Sequence, residues 1–442
     1  MLSPVTHLDT AVNLRAATTV RSLLAVRARA RDAKVLWTNL SRRARSLRRR
    51  WGKSGPVAIV SNLPPQNTGI ANFTRRLFQP EDPDFRIYSD AVTTAHGNGL
   101  GSNEPGAGPN VFPIGQLFSH QVAEGFTAIV FMLGNSAHSV ACMQALYALA
   151  RSNRSPALYA YLHEPYLNGL LAPLVGADGF LSALRQSYPE RPFPDDAAAP
   201  REAPRLLERR ILGARALLEL VHLEGIFVNS QFALELLRAD YPEFPPERIT
   251  RLFHPVFAPV TTPDDPAGGR PLRIGSFGVP NPFKKLNVLL DAFRRLRARD
   301  PQTELILSGY GMAGFIEELG LGGEHGLRVH ESPSDEVFEA LMASVDVAVQ
   351  LRSATFGESS GTVSQLVALG RPTIVARIGA FAEFEDAVCF AHDDVSPEEL
   401  ADLIEAEAEQ PERRRVAMAA YAATHESGRL LGRLRHEFFG RS

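Results

Sequence analysis

The sequence predicts an α/β protein of two doubly wound, parallel-sheet domains, preceded by a basic helical extension. Three observations carry this. Short continuous apolar runs, as expected of strands buried on both faces, alternate with amphipathic stretches of helical period. The alternation stops at "APVTTPDDPAGGRP" (258–271), a Pro-, Gly- and Asp-rich segment that reads as a linker, and then restarts. The 442 residues are also enough for two domains of ordinary size.

The first domain spans 56–257. Its first strand is "VAIVS" (57–61), followed by a helix from near Gly69. Further strands are "FRIYS" (85–89), "NVFPI" (110–114), "FTAIVFM" (126–132), "ALYAYL" (157–162), "GIFVN" (225–229) and "ITRLF" (249–253). Residues 167–224 read as an insertion, mostly helical, around "APRLLERRILGARALLELVHL". In the second domain (272–425), strands at 272–277, 304–308, 327–331, 346–351 and 373–376 alternate with helices at 284–299, 312–320, 335–344 and from 360. Residues 426–442 are expected to be a C-terminal helix returning to the first domain. Ligands of doubly wound sheets bind beyond the carboxyl ends of the strands, so a cleft between two such domains is the expected site.

Composition is that of a soluble globular protein. Cys142 and Cys389 are the only cysteines, and neither sits in a Cys-x-x-Cys or Cys/His cluster, which argues against a disulfide framework or a zinc site. The longest uncharged run, 126–150, contains the polar turn "LGNSAHS" and reads as strand, loop and helix, not as a membrane span. The N-terminus lacks the pattern of a signal peptide. A cytoplasmic protein is expected.

Charge is unevenly spread. Residues 1–53 hold 13 Lys/Arg and 2 Asp, so the segment is +11 and leaves −13 of the total of −2 for the rest. Leu36, Leu40, Ala44, Leu47 and Trp51 fall at helical spacing among six arginines. Such a helix suits an anionic membrane surface, which would place the protein peripherally on the inner face of the cell membrane. Packing on the body of the protein, and less so nucleic acid, are the alternatives.

Several stretches bear on chemistry. "SNLPPQNTGIANFTRRLF" (61–78) opens a helix at Gly69, where N–H groups and the helix dipole favour an anion; an ordinary N-cap explains it equally well. "VFMLGNSAHS" and "AYLHEPY" place Asn135, His138, His163 and Glu164 just past apolar strands, as cleft or acceptor contacts or as structural residues. "FGVPNPFKKLNVLLDAF" sets Lys284 and Lys285 at a helix start, which cations normally avoid, and so suggests an anionic partner. "LILSGYGMAGFIEELG" carries Gly309, Gly311 and Gly314 as G-x-G-x-x-G with Glu331 downstream. It follows the second strand of its domain, where a dinucleotide fingerprint belongs after the first. Asp82-Pro83-Asp84 mimics a metal-binding pair but reads as a turn.

The strongest stretch is "LRSATFGESSGTVSQLVALGRP" (351–372). A strand ends at Arg352, and Glu358, Ser359, Ser360, Gly361 and Thr362 stand at a helix start. The N–H groups and hydroxyls suit phosphate or sugar, and Glu358 can accept from sugar hydroxyls. Gln365 lies about two turns on, on nearly the same face.

In their order, "NTGIANFTRRL", "LGNSAHS", "LHEP", "FVNSQFA", "NPFKK" and "GESSG … LVALGRP" resemble the retaining glycosyltransferases of family 4, which have the GT-B fold, over about residues 56–425. The branch it looks most like has a Leu-Arg … Gly-Glu-Ser/Thr-Ser-Gly signature. The resemblance implies a nucleotide-diphosphate sugar donor held mainly by the second domain, with no cofactor and no metal. Gly69 would lie beside the donor phosphates. His163 would be the active-site histidine, Lys284 the lysine on the diphosphate and Glu358 a contact to the sugar. Gln365 falls where the family usually has a second glutamate for the ribose hydroxyls. Six residues separate Glu358 from Gln365 where the family has seven, and Val279 stands where the family usually has an arginine, a charge that Arg352 would supply. The expectation is a retaining, metal-independent glycosyltransferase acting on a glycan or lipid-linked acceptor in bacterial surface polysaccharide assembly, without nucleic acid as partner. An inactive nucleotide-sugar-binding scaffold and an NAD enzyme are the competing readings.

Overall fold

A computed structural model describes residues 55–92, 108–152, 156–193, 203–261 and 270–440. The basic extension expected over 1–55 lies outside these but for its last residue, as does most of the expected linker. The chain forms two compact units. The first holds the residues through Asn229, Ala233–Arg251 and Phe438–Gly440; the second holds Ser230–Phe232 and Leu252–Glu437.

The first unit is built on seven parallel strands: β1 (Val57–Val60), β2 (Phe85–Ser89), β3 (Val111–Pro113), β4 (Ala128–Leu133), β5 (Ala157–Leu162), β6 (Gly225–Val228) and β7 (Ile249–Arg251). Their order is β3-β2-β1-β4-β5-β6-β7. Every residue of β1 and of β4 is buried, which is why these strands read as unbroken apolar runs rather than alternating ones. Winding direction reverses between β1 and β4, so the loops after those strands flank the crevice where such sheets bind ligands. Run 126–150 is strand β4, a turn at Ala137–Ser139 and helix Val140–Ala150. Among the described residues no helix is long and apolar enough to cross a membrane. Asp82 caps a turn, its carboxylate accepting from the Asp84 N–H at 3.0 Å.

The described residues of the insertion are mostly helical. They contain helices Asn168–Val175, Ala177–Ser187, Ala203–Glu208 and Ala214–Leu218, with the apolar stretch around Ile211 broken between the last two. The break is held by the fully buried Asp240. Its carboxylate accepts from the N–H groups of Leu212 (2.8 Å) and Arg215 (2.9 Å) and from the Tyr188 hydroxyl. Gly213 takes a φ of +81°, a conformation that side chains disfavour.

The second unit has six parallel strands: β8 (Arg273–Phe277), β9 (Glu304–Gly309), β10 (Leu327–Glu331), β11 (Val347–Gln350), β12 (Thr373–Ala376) and β13 (Cys389–Ala391). They run in the order β10-β9-β8-β11-β12-β13. β13 was not legible in the sequence, because three residues are too few to show a period. Leu289, Phe293 and Leu305 pack on one face of the sheet, and Phe277, Ile306, Ala348 and Leu366 on the other. The reversal falls between β8 and β11, and the loops after these two strands carry the candidate site.

Leu252 and the residues after it, through Glu437, count with the second unit. Residue Val256 pairs with the turn before the last helix: its N–H donates to the His425 carbonyl at 2.7 Å, and its carbonyl accepts from the Ser427 N–H at 3.1 Å. The last helix, Ser427–Phe439, belongs to the second unit through Glu437. Its end counts with the first unit, where Phe438 packs edge-on against Tyr159, the centroids 5.2 Å apart.

Candidate active site

In the second unit, β8 is followed by Gly278 at φ +94°, where a Cβ would come within 3.0 Å of Lys284 Nζ. The bare glycine lets Lys284 fold back over the strand end, where Nζ donates to the Phe277 carbonyl at 3.0 Å. Asn281 accepts from the Phe283 N–H at 3.0 Å and caps the single turn Pro282–Lys284. The long helix therefore starts later than expected, at Leu286, with Lys285 at φ +47° as its N-cap. Burial lowers the Lys284 pKa to about 7; nearby Arg352 adds to the effect and Glu358 opposes it.

The loop after β11 is tied to this turn. The Ser353 N–H donates to the Phe283 carbonyl at 2.7 Å, and Phe283 meets Phe356 edge-on at 5.4 Å. Within the loop, Arg352 is ion-paired with Glu358, whose carboxylate also accepts from the Phe356 N–H (2.7 Å) and the Thr355 hydroxyl (3.1 Å). The Arg352 guanidinium also lies over the Phe381 ring, 5.2 Å from its centroid.

Ser359 is half-buried ahead of helix Gly361–Ala368. Ser360 is the N-cap, its hydroxyl accepting from the Val363 N–H at 3.2 Å, while Gly361 is exposed. Thr362 turns toward the lysine turn: a Cβ at Gly278 would lie 3.8 Å from its hydroxyl. The ammonium of Lys284, the hydroxyl of Thr362 and the start of a helix thus converge on Gly278. This arrangement suits an anion, because the first N–H groups of a helix have no partner within it.

Gln365 is buried one turn further in. Its Nε2 donates to Glu339 at 3.1 Å, so its amide nitrogen is turned toward the neighbouring helix Asp335–Ser344. His254, unnoticed in the sequence because it lies in a short segment after β7, sits beside helix Gly361–Ala368. Its ring is 3.5 Å from where a Cβ at Gly361 would be and 3.4 Å from the Ser364 hydroxyl. Val279, standing in the place expected of an arginine, is 56 % exposed.

The G-x-G-x-x-G stretch follows β9, the second strand of its sheet. Glu331 does not stand free for a ribose. Its carboxylate accepts from the N–H groups of Gly311 (2.7 Å) and Ala313 (2.9 Å), the donors that a dinucleotide pyrophosphate would need. These bonds hold its carboxyl below the usual range.

In the first unit, Gly69 opens helix Gly69–Leu77 and is exposed, with Thr68 as N-cap accepting from the Ala71 N–H at 3.1 Å. Asn135 and Glu164 are brought together: the Asn135 N–H donates to Glu164 at 2.9 Å, and the Asn135 side chain accepts from the Gly169 N–H at 2.5 Å. Both thus hold the loops beyond β4 and β5. His163 is half-buried, stacked on Tyr161 (5.3 Å) with Phe73 edge-on (4.6 Å). The His138 side chain is exposed, and its carbonyl accepts from Asn62 at 2.8 Å. Among the described residues no group of three or more His, Cys, Asp or Glu could hold a metal ion.

Residues 271–409 match the family model described as Glycosyl transferases group 1. A search of curated proteins finds no match. Solved structures of similar fold include an alpha-glucosyltransferase in complex with UDP and a 13-mer DNA containing a HMU base (TM-score 0.56, 11 % identity). Others are a glycosyltransferase from Rickettsia africae (0.53, 11 %) and a sucrose-phosphate synthase from Thermosynechococcus elongatus (0.52, 13 %). Each alignment covers 88 % of this chain and 100 % of the other. At such identity the likeness is one of fold, and the fold is GT-B. Residues 271–409 form a glycosyltransferase domain, and the chain is an enzyme of glycosyl transfer.

Proposed function

We propose that the chain is a retaining glycosyltransferase that moves a sugar from a nucleotide-diphosphate donor to a glycan or lipid-linked acceptor in bacterial surface polysaccharide assembly. The observation that supports this most is the convergence of Lys284, Thr362 and the start of helix Gly361–Ala368 at Gly278. A cation, a hydroxyl and helix N–H groups are what a diphosphate needs. As the bond from the sugar carbon to the phosphate oxygen breaks, negative charge grows on the leaving diphosphate. Lys284 and the helix start would stabilise that charge. The acceptor hydroxyl forms the new bond from the same face, and its proton passes to the leaving phosphate oxygen. Glu358, held toward its own loop, is proposed as the contact to sugar hydroxyls, Gln365 as the contact to the ribose and His163 as the group beside the transferred sugar. No further cofactor enters this scheme.

Nucleotide sugars with different bases are the direct test, by thermal shift of the purified protein and then by product analysis. Stabilisation by one nucleotide series, with transfer that retains the anomeric configuration and is lost in Lys284→Ala, is the expected result. Inversion of configuration would end the retaining assignment. Binding without turnover toward any acceptor tried would favour a scaffold role, to which Val279 in place of an arginine lends some weight. We also propose that residues 1–53 bind an anionic membrane surface. Their deletion should then release the protein from vesicles containing anionic lipid.

A further inference from the structure

β8 and β11 flank the point where the winding of the second sheet reverses, and they pair only over Ile274–Gly275 and Val347–Ala348. On their outer sides both strands stay paired for longer. β8 follows β9 up to Phe277, opposite Ser308, and β11 follows β12 up to Gln350, opposite Val375. The two strands therefore part toward their carboxyl ends. The side chain of Gln350, 7 % exposed, spans the opening to Phe277. A backbone N–H can only donate and a carbonyl can only accept. The amide thus stands with its oxygen on the Phe277 N–H at 2.7 Å and its NH2 on the Phe277 carbonyl at 3.2 Å. One side chain gives both groups the partners that an adjoining strand would have given them. The same carbonyl also accepts from Lys284 Nζ at 3.0 Å.

We propose that Gln350 is a positioning residue of the donor site, fixing the Phe277 carbonyl on which the Lys284 ammonium rests at the point where β8 and β11 part. This rests on the diphosphate role proposed for Lys284. Gln350 itself touches no ligand in this scheme and acts through the carbonyl. It holds that oxygen, and Gly278 after it, in one place, so that Lys284 and Thr362 meet there. Its NH2 group also shares the oxygen with the ammonium and so competes with it for the acceptor. Arg352 and Glu358 are the charged groups that act on Lys284. Both lie on the loop that follows Gln350, so the same side chain ties their loop to the strand that carries the lysine turn.

The test uses the full chain and whichever of UDP, GDP and ADP binds tightest by calorimetry, with affinity followed from pH 6 to 9. Gln350→Met keeps the length of the side chain and removes the amide. At pH 6 Lys284 is charged in both proteins, and affinity should fall about tenfold because the ammonium is no longer fixed. The ammonium also loses its competitor for the carbonyl and, as the strands loosen, part of its desolvation. Both changes favour the charged form. The pH above which affinity weakens, about 7 in the parent, should therefore rise by about one unit. In Gln350→Glu the ionised carboxylate cannot donate to the Phe277 carbonyl and stands near the ammonium, so this pH should rise further. A residue needed only for stability would lower the melting temperature and leave that pH where it is. An unchanged pH in Gln350→Met overturns the proposal. If that variant does not fold, the pH in Gln350→Glu decides, and failure of both to fold assigns Gln350 to the fold alone. The donor-site reading fails separately, if none of the three nucleotides binds the parent or if Lys284→Ala binds as the parent does. If Lys284→Ala loses binding while the Gln350 variants keep the parent's pH dependence, only the role of Gln350 fails.

Discussion

Arg352 and Glu358 are ion-paired within one loop, and the carboxylate of Glu358 is also held by the Phe356 N–H and the Thr355 hydroxyl. The sequence assigned the arginine to a diphosphate and the glutamate to a sugar as separate groups. The structure makes them one rigid piece, each largely buried. Glu358→Gln keeps the shape of that piece and loses the charge. Glu358→Ala also leaves the guanidinium and the Phe356 N–H without their partner. Transfer should fall at least about 100-fold in both variants. Stability should fall by about 2 kcal/mol in the alanine variant and by less in the glutamine variant. Steady-state turnover beside urea titrations would check both, and full activity in Glu358→Gln would remove the sugar contact from the scheme.

Lys284 predicts a pH dependence. Its pKa in the free protein is lowered to about 7, chiefly by burial, whereas a bound diphosphate favours the charged form. Above pH 7 the free protein must take up a proton to bind. Affinity for a nucleoside diphosphate should therefore weaken as pH rises from 7 to 9, by up to tenfold per unit, and level off below pH 6.5. Calorimetry in buffers of different ionisation heat would detect the proton uptake. An affinity flat over this range would mean that Lys284 does not meet the phosphates.

Glu331 separates this site from a dinucleotide site. Because its carboxylate occupies the N–H groups of Gly311 and Ala313, NAD should give no thermal shift. Glu331→Ala should lower the melting temperature by a few degrees, as loss of a helix-capping group does, without creating NAD binding. A shift with NAD in the parent protein would contradict the structure here.

Asp240 predicts a stability effect far from the chemistry. Burial raises its pKa to about 6, although it accepts from two backbone N–H groups and from Tyr188. The folded form therefore holds a proton more tightly than the unfolded chain between about pH 4 and 6. The stability it contributes in that window is lost as pH rises through 6. Asp240→Ala would leave buried N–H groups without an acceptor and should cost about 3 kcal/mol at neutral pH, measured by urea unfolding. A cost below about 1 kcal/mol would mean that the insertion relaxes around the site.

The order of elements was legible from the chain. The strands β1 and β4 are buried on both faces and so show as apolar runs, and the loops after β8 and β11 carry Lys284 and Glu358 where a doubly wound sheet puts its ligand. β13 and the break in the insertion were not legible. The first is too short for a period, and the second depends on Asp240, which reaches Leu212 from another part of the chain.

By itself the sequence determined the two sheets, their winding and the loops that bear the candidate residues, because these follow from hydrophobic period and punctuation along the chain. Tertiary structure alone decided what those residues do to one another. Glu331 occupies the helix start at Gly311, Arg352 holds Glu358, Lys284 is depressed by burial, and Glu339 accepts from Gln365. These are effects of distance and desolvation between side chains, and the spacing of apolar residues along one strand or helix carries no information about them.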